Sequence, residues 1–402
     1  MKAVVIAAGR GTRMRPLTDT RPKPMLPVGG RPLLAHVLDA CAGVVDGAVV
    51  VTGYEGETVR EHFGAAYDDL PIEYVRQRER LGTAHAIARA REAVDDDFLA
   101  LNGDVLVPPD LVERLAAAAS PAMAVKPVDD PSAYGVVDVE DGYVTDIVEK
   151  PATPPSSLAN LGCYKFPESV FSAIADLEQS PRGEFEITDA LAALIDAGRP
   201  PAVVEHDGPW LDVGRPWELL AANEAVLADL DGRVTGTVAE GATLHGTVVV
   251  EDGARVRAGA YLEGPVVVQA GADVGPNAYV RGASVIGPNV RVGNAVEVKN
   301  SVLMADTTVG HLSYVGDSVL GAGVNFGAGT KVANLRHDDR SIRMTVKGER
   351  VDTGRRKLGV VCGDGAKTGI NTSLNVGVKL GTGATTRPGE TVDHDREGRP
   401  CQ

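Results

Sequence analysis

Two hydrophobic textures divide the chain. From residue 1 to about 230, short apolar runs alternate with segments whose apolar residues recur at helical spacing. Residues 4–6, 48–51 and 98–101 predict buried strands, and residues 32–42, 57–63, 83–94 and 187–197 predict helices. Residues 216–230 predict one more helix, interrupted on its apolar face by Asn223. Such alternation predicts an α/β domain with a mostly parallel sheet covered on both faces. Ligands of such sheets gather at the carboxyl ends of the strands.

From about residue 235 the period changes to six. Val238, Leu244, Val250, Val256, Leu262, Val268, Val274, Val280, Ile286, Val292, Val298 and Met304 keep one register. A small or β-branched residue stands two positions before each, from Gly236 and Ala242 through to Val302. A hexapeptide period predicts a parallel β-helix, each repeat forming one flat side of a triangular coil. The register slips after Met304, then resumes at Val309 and Val315 and again at Leu320, Phe326 and Val332. The predicted domains are therefore 1–230 and 231–402.

Composition narrows the partners. Hydrophobic residues at 44% and charged residues at 24% are those of a globular chain, which excludes a disordered or collagen-like protein. A net charge of −15 argues against nucleic acid or an anionic membrane as partner. Cys41, Cys163, Cys362 and Cys401 form no CxxC pair, so neither a zinc knuckle nor a disulfide framework is expected. The N-terminal strand is too short for a signal peptide, and no apolar run approaches ~18 residues. A soluble, cytoplasmic enzyme with reduced thiols is the expectation.

Chemistry enters right after the first strand, at Ala8-Gly9-Arg10-Gly11-Thr12-Arg13-Met14. Glycines let backbone N–H groups approach phosphate, and a guanidinium clamps phosphate oxygens in pairs. Met14 occupies the third glycine position of the dinucleotide fingerprint, so that motif is excluded. Lys23 follows, stiffened between Pro22 and Pro24. Gln77 precedes Gly82-Thr83 at a predicted helix start, where an amide can read a pyrimidine edge. Asp104 stands at a strand end, and Trp210-Leu211-Asp212 supplies a second carboxylate. Two oxygen ligands plus substrate phosphates suit Mg²⁺. Glu149-Lys150 offers a cation for another phosphate.

Together these motifs resemble the sugar-1-phosphate nucleotidylyltransferase family over residues 1 to about 225. The resemblance implies attack of a sugar-1-phosphate on the α-phosphorus of UTP or dTTP, with release of pyrophosphate. It places Ala8, Gly9, Gly11, Thr12, Arg13, Lys23, Gln77, Gly82 and Thr83 on the nucleotide, with Arg13 and Lys23 catalytic. Asp104 and Asp212 would hold Mg²⁺. Lys150 would hold the sugar phosphate, and Gly135, Glu149 and Asn160 the sugar. Residues 182–189 resemble the family's sugar-pocket segment.

Within the β-helix, the stretches around Lys299, around His311 to Asp317 and from Asn325 to Thr330 resemble the acetyltransferase domain of bifunctional N-acetylglucosamine-1-phosphate uridylyltransferases. That resemblance spans roughly residues 270 to 390. It implies a left-handed β-helix, acetyl-CoA as co-substrate and a trimer. His311 would be the general base; Tyr314 and Asn334 would bind the amino sugar, and Arg281 and Lys299 its phosphate. Residues 335–357 depart from the bacterial pattern, carrying eight basic residues against four acidic ones. They resemble archaeal two-activity relatives, with Arg340 and Arg343 where Lys is common. The resulting expectation is a bifunctional enzyme of UDP-N-acetylglucosamine synthesis of archaeal type. The alternative is a glucose-1-phosphate nucleotidylyltransferase with a structural β-helix. A non-catalytic scaffold would not need Arg13, Lys23, Asp104 and Asp212 together.

Overall fold

A computed structural model describes residues 1–398, so Cys401 lies outside the described residues. Packing divides the chain into two compact units. The first holds Met1–Arg10, Pro22–Met25 and Leu33–Asp212. The second holds Gly11–Arg21, Leu26–Pro32 and the chain from Val213 onward.

The first unit is built on a ten-stranded sheet. The predicted apolar runs form Lys2–Ala7, Gly47–Thr52 and Phe98–Asn102, which pair in parallel, with Leu70–Arg76 added at one side. Val4, Val5, Val50, Leu99 and Leu101 are fully buried, as both faces of the sheet are covered. Leu38, Leu111 and Leu115 pack on one face, and Ile87, Phe171 and Leu191 on the other. The predicted helices stand at Leu33–Cys41, Gly56–Phe63 and Ile187–Asp196. The one expected over 83–94 stops at Ala88, and a 3-10 turn follows at Arg91–Ala93. Pro109–Ala117 and Val170–Ala175 are further helices that periodicity did not single out.

The expected mostly parallel sheet is parallel only in part. Leu158–Phe166 runs antiparallel to both of its neighbours, Phe98–Asn102 and Ala122–Pro127. Gly135–Glu140 and Tyr143–Glu149 form a hairpin. The cause of that hairpin is local: Asp141 and Gly142 both take positive φ (50° and 81°), the tight turn that Asp-Gly favours.

The second unit is a parallel β-helix of the hexapeptide class. Three ladders of eight, six and eight short strands stack along it. Leu262 pairs with Val280, and Val280 with Val298, so a coil takes eighteen residues, three hexapeptides. The large residue of each repeat fills the interior: Val250, Leu262, Val274 and Val292 are fully buried in one continuous core. Alanines two positions earlier, such as Ala254, Ala260 and Ala272, pack beside them.

The register slip lies earlier than the sequence suggested. Ile286 pairs with Leu303, so Leu303 rather than Met304 occupies the core, and one residue is lost between Val298 and Leu303. The next coils keep the shortened spacing, Val298 pairing with Val315 and Val309 with Phe326. Val319 then pairs with Val361, which loops out the basic segment; within it Arg343–Val346 and Glu349–Asp352 form a hairpin. Full coils resume with Cys362 on Leu380 and Leu374 on Val392.

The last helix, Pro216–Ala228, belongs to this unit. Asn223, which breaks its apolar face, is fully buried. Its Oδ1 accepts from Gly29 N at 3.0 Å and its Nδ2 donates to Ala283 O at 2.9 Å. A buried amide with both ends bonded is tolerated where a lone one would not be.

Leu303→Ala should lower unfolding stability by about 2–5 kcal/mol in urea titration, the cost of a cavity in a packed core. A loss below about 1 kcal/mol would place Leu303 outside the interior.

Candidate functional site

In the first unit, strand ends collect the charged groups. Val105–Leu106 pairs antiparallel with Leu211–Asp212, and Asp212 faces Val105. Asp104 and Asp212 therefore occupy adjoining positions, although 108 residues apart by number. Lys23 lies in a 3-10 turn, Lys23–Met25, and is buried. Its Nζ donates to Asp104 Oδ2. An ammonium this buried requires a partner, and the carboxylate supplies it.

Gln77 is buried beside the strand Leu70–Arg76. Its backbone N–H reaches Thr52 O at 2.8 Å, and Nε2 bonds Gly82 O at 3.1 Å and His85 Nδ1 at 2.9 Å. Gly82 takes φ of 102°, and a Cβ there would lie 2.4 Å from Phe185 O. The backbone bonds Phe185 N to Leu81 O and Ala84 N to Phe185 O fix this close approach. Thr83 Oγ1 accepts from Ile187 N at 3.1 Å, so its hydroxyl oxygen already has a partner. Gln77 also lines a cavity of about 340 Å³ with Arg10, Gly53, Tyr54, Arg76, Arg78 and Arg80. The Arg10 guanidinium stands over the Tyr54 ring at 5.2 Å. In an acidic chain this is a concentrated positive field beside the amide.

The residues expected on the sugar lie near one another. Gly135 pairs with Glu149, and a Cβ on it would come within 3.2 Å of Glu149 Oε2 and 3.5 Å of Asn160. Lys150 Nζ donates to Glu149 Oε1 at 2.6 Å. Asn160 bonds Tyr164 OH at 2.7 Å and Gly162 N at 3.0 Å. Arg182 joins them, 3.6 Å from Glu149 and 2.9 Å from Glu186. Burial pushes the Glu186 and Asp189 carboxyls above their ordinary range, against the pull of Arg182.

The glycine turn enters the second unit at Gly11. Gly11 O accepts from Met14 N and Thr18 Oγ1, both at 2.8 Å, which closes the turn around Thr12 and Arg13. A Cβ on Gly214 would lie 3.1 Å from Arg13 Nη2.

A separate polar cluster lies on one ladder of the β-helix. Lys299 Nζ donates to Asp317 Oδ2 at 2.9 Å, and Asn334 Nδ2 donates to Asp317 and to Tyr314 OH at 3.1 Å. Arg281, one coil away, pairs with Glu297 at 2.8 Å. Burial raises the Tyr314 hydroxyl, with Asp317 and Glu297 adding to it. Four of the five expected residues are thus close neighbours. His311 is not among them: it ends the strand Thr308–His311 on the adjacent ladder, exposed, and Leu312 turns the corner with φ of 52°. Among the described residues its ring makes no hydrogen bond or ion pair.

Comparison with known proteins follows this division. The nucleotidyl transferase model matches residues 2–229, and the GMPPB C-terminal domain model matches residues 262–362. The bifunctional protein GlmU of Methanococcus maripaludis (strain C7) is 43% identical over 400 residues, covering 99% of this chain and 96% of its own. The chain belongs to the bifunctional GlmU family. Another relative, the bifunctional sugar-1-phosphate nucleotidylyltransferase/acetyltransferase of Sulfurisphaera tokodaii, is 36% identical over 98% of both chains. A UDP-glucose pyrophosphorylase solved with UDP-glucose shares the fold over 57% of this chain, with a TM-score of 0.53 at 24% identity.

The match to the Methanococcus maripaludis GlmU covers 99% of this chain and so spans both the carboxylate pair and the β-helix cluster. Asp104 and Asp212 offer two hard oxygen donors, which fit Mg²⁺. Among the described residues no group of three His, Cys, Asp or Glu side chains gathers, so phosphates and water would complete the shell. Sequence reading missed Asp317, which joins Lys299 to Asn334, and the arginines at positions 76, 78 and 80. Asp317 sits in the quoted His311 segment, but only the coil register shows it facing Lys299. The three described cysteines are inert by position: burial pushes Cys41 up to about 12 and Cys163 and Cys362 higher still.

Gly82→Ala should weaken binding of a nucleoside triphosphate about ten-fold or more, since the new methyl meets Phe185 O in a strained φ. Calorimetric titration against the parent checks this, with circular dichroism confirming that the fold persists.

Proposed function

We propose that this chain acetylates glucosamine-1-phosphate with acetyl-CoA and then transfers UMP from UTP to the product, yielding UDP-N-acetylglucosamine and pyrophosphate. The observation that carries the proposal is the presence, in one chain aligned end to end with bifunctional relatives, of both the Lys23, Asp104 and Asp212 set and the Lys299, Tyr314 and Asn334 set. Residues 1–230 would carry nucleotidyl transfer, and residues 231–402 acetyl transfer.

In the first reaction the sugar amine attacks the thioester carbonyl carbon, the C–S bond breaks, and coenzyme A leaves as thiol. An ammonium has no lone pair for this step, so a base must hold the proton the amine loses; His311 has that role here. Its exposure at a coil corner suits a site finished by a second copy in a homotrimer. Tyr314 and Asn334 orient the sugar. Arg281 and Lys299 are paired to Glu297 and Asp317, and a sugar phosphate would compete for them.

In the second reaction a phosphate oxygen of the sugar attacks the α-phosphorus of UTP, and the bond to the bridging oxygen breaks. Positioning and charge neutralisation supply most of such catalysis. Arg13 and Lys23 hold the phosphates, with Ala8, Gly9, Gly11 and Thr12 presenting backbone. Gln77, Gly82 and Thr83 border the base. Lys150 holds the sugar phosphate, and Gly135, Glu149 and Asn160 the ring. Mg²⁺ held by Asp104 and Asp212 would neutralise charge on the triphosphate. Both reactions use small molecules, no nucleic acid and no membrane; no helix among the described residues is long and apolar enough to cross one. A cytoplasmic setting, where acetyl-CoA and UTP are made, follows from the substrates.

Asp104→Ala should abolish pyrophosphate release and leave acetyl transfer intact, while His311→Ala should do the converse. Paired assays of pyrophosphate and of free coenzyme A thiol check both. Pyrophosphate release without any sugar-dependent thiol would instead support a single-activity nucleotidylyltransferase on a structural β-helix.

A further inference from the structure

The segment Gly11–Arg21, which carries the glycine turn and Arg13, packs within the same unit as the last coils of the β-helix. Its contacts there are specific. Asp364 Oδ2 accepts from Thr20 Oγ1 at 2.6 Å and from Arg21 Nη2 at 2.5 Å. The other oxygen of Asp364 accepts from Ala322 N at 2.8 Å, which fixes the carboxylate to the coil before it. Lys379 Nζ donates to Arg15 O at 2.8 Å, and Thr382 Oγ1 to Asp19 Oδ2 at 3.4 Å. Pro16 lies so near Gly363 that a Cβ there would come within 2.9 Å of Pro16 Cβ. The Arg21 and Asp364 side chains are about one-fifth exposed, so water screens their pair only in part. Burial pushes the Lys379 ammonium down to about 8, against Asp395 and Asp19 and aided by Arg350.

These contacts lie in the middle and at the C-terminal end of one short loop. An isolated glycine turn samples many backbone conformations, and ordering it on binding costs affinity. Fixed at Arg15, Asp19, Thr20 and Arg21, the loop presents Gly11, Thr12 and Arg13 already ordered.

We propose that Asp364 and Lys379 are positioning residues for nucleotidyl transfer: through Thr20, Arg21 and the Arg15 carbonyl they lock the phosphate-binding loop in its working conformation. Neither residue touches substrate. The inference rests on the nucleotidyl-transfer reading given above, and it assigns the C-terminal coils a part in that reaction besides their own chemistry.

The test uses the full chain with UTP and N-acetylglucosamine-1-phosphate. Thr20→Val and Lys379→Met each remove one loop contact without opening the coil, and Asp364→Ala removes two. Loss of a charged hydrogen bond to the loop should raise KM for UTP about ten-fold or more in Asp364→Ala, with a smaller change in kcat. The single-contact variants should show part of that rise. Acetyl transfer and the melting temperature of Thr20→Val and Lys379→Met should match the parent. Hydrogen exchange of the Thr12–Thr20 amides should quicken in all three variants. Unchanged KM for UTP and unchanged exchange in folded variants would overturn the proposal. If the parent itself transferred no nucleotide, the functional reading would fall, while the exchange rates would still decide whether the loop is locked.

Discussion

Every strand of the β-helix is two to four residues long, and none could persist alone. Each depends on partners one coil away, supplied in most coils at seventeen or eighteen residues along the chain. This mutual dependence is the constraint from which the second unit follows. It demands one interior aliphatic residue per side, a small neighbour at the corner, and no insertion that displaces a ladder partner. The basic segment obeys the last condition. It leaves after Asn334, folds its own hairpin with Ile342 and Met344 buried, and returns so that Val319 and Leu320 still find Val361 and Cys362.

The first unit solves a different problem. Its parallel half buries continuous runs of Val, Leu and Ala on both faces, so polar groups are pushed to the strand ends. Asp104 follows one such end directly, and the short pairing of Val105–Leu106 with Leu211–Asp212 brings the second carboxylate beside it. The antiparallel half brings Glu149, Gly135 and Asn160 together by a hairpin and a neighbouring strand. Sheet direction thus decides which side chains meet: strand ends bring Asp104 and Asp212 together, and the antiparallel strands bring Gly135, Glu149 and Asn160 together.

The sequence was most legible where burial repeats. Val250 to Val298 could be placed inside the coil from spacing alone. The slip was misplaced by one repeat because Leu303 and Met304 are adjacent and both apolar, and only the ladder partner tells them apart. Strand direction was illegible in Leu158–Phe166, since a buried run reads the same whichever way it points. The Asp141-Gly142 turn did signal a hairpin, and a turn-by-turn reading would have found it. Among site residues, the motif positions carried their own signal. Asp317, Asp364 and Lys379 carried none, because their partners are set by coil register or lie hundreds of residues away.

The contact between Arg21 and Asp364 spans 343 positions of the chain. A ribosome adding about 5–20 residues per second reaches Asp364 roughly 20–70 s after Arg21. Throughout that interval the glycine loop has emerged but lacks the carboxylate that holds it. Synthesis itself therefore orders events: a nascent first domain can close its sheet early, yet the loop is secured only when the coil carrying Asp364 has stacked. A chain stopped short of that coil would carry every nucleotide motif and still lack the clasp on one of them.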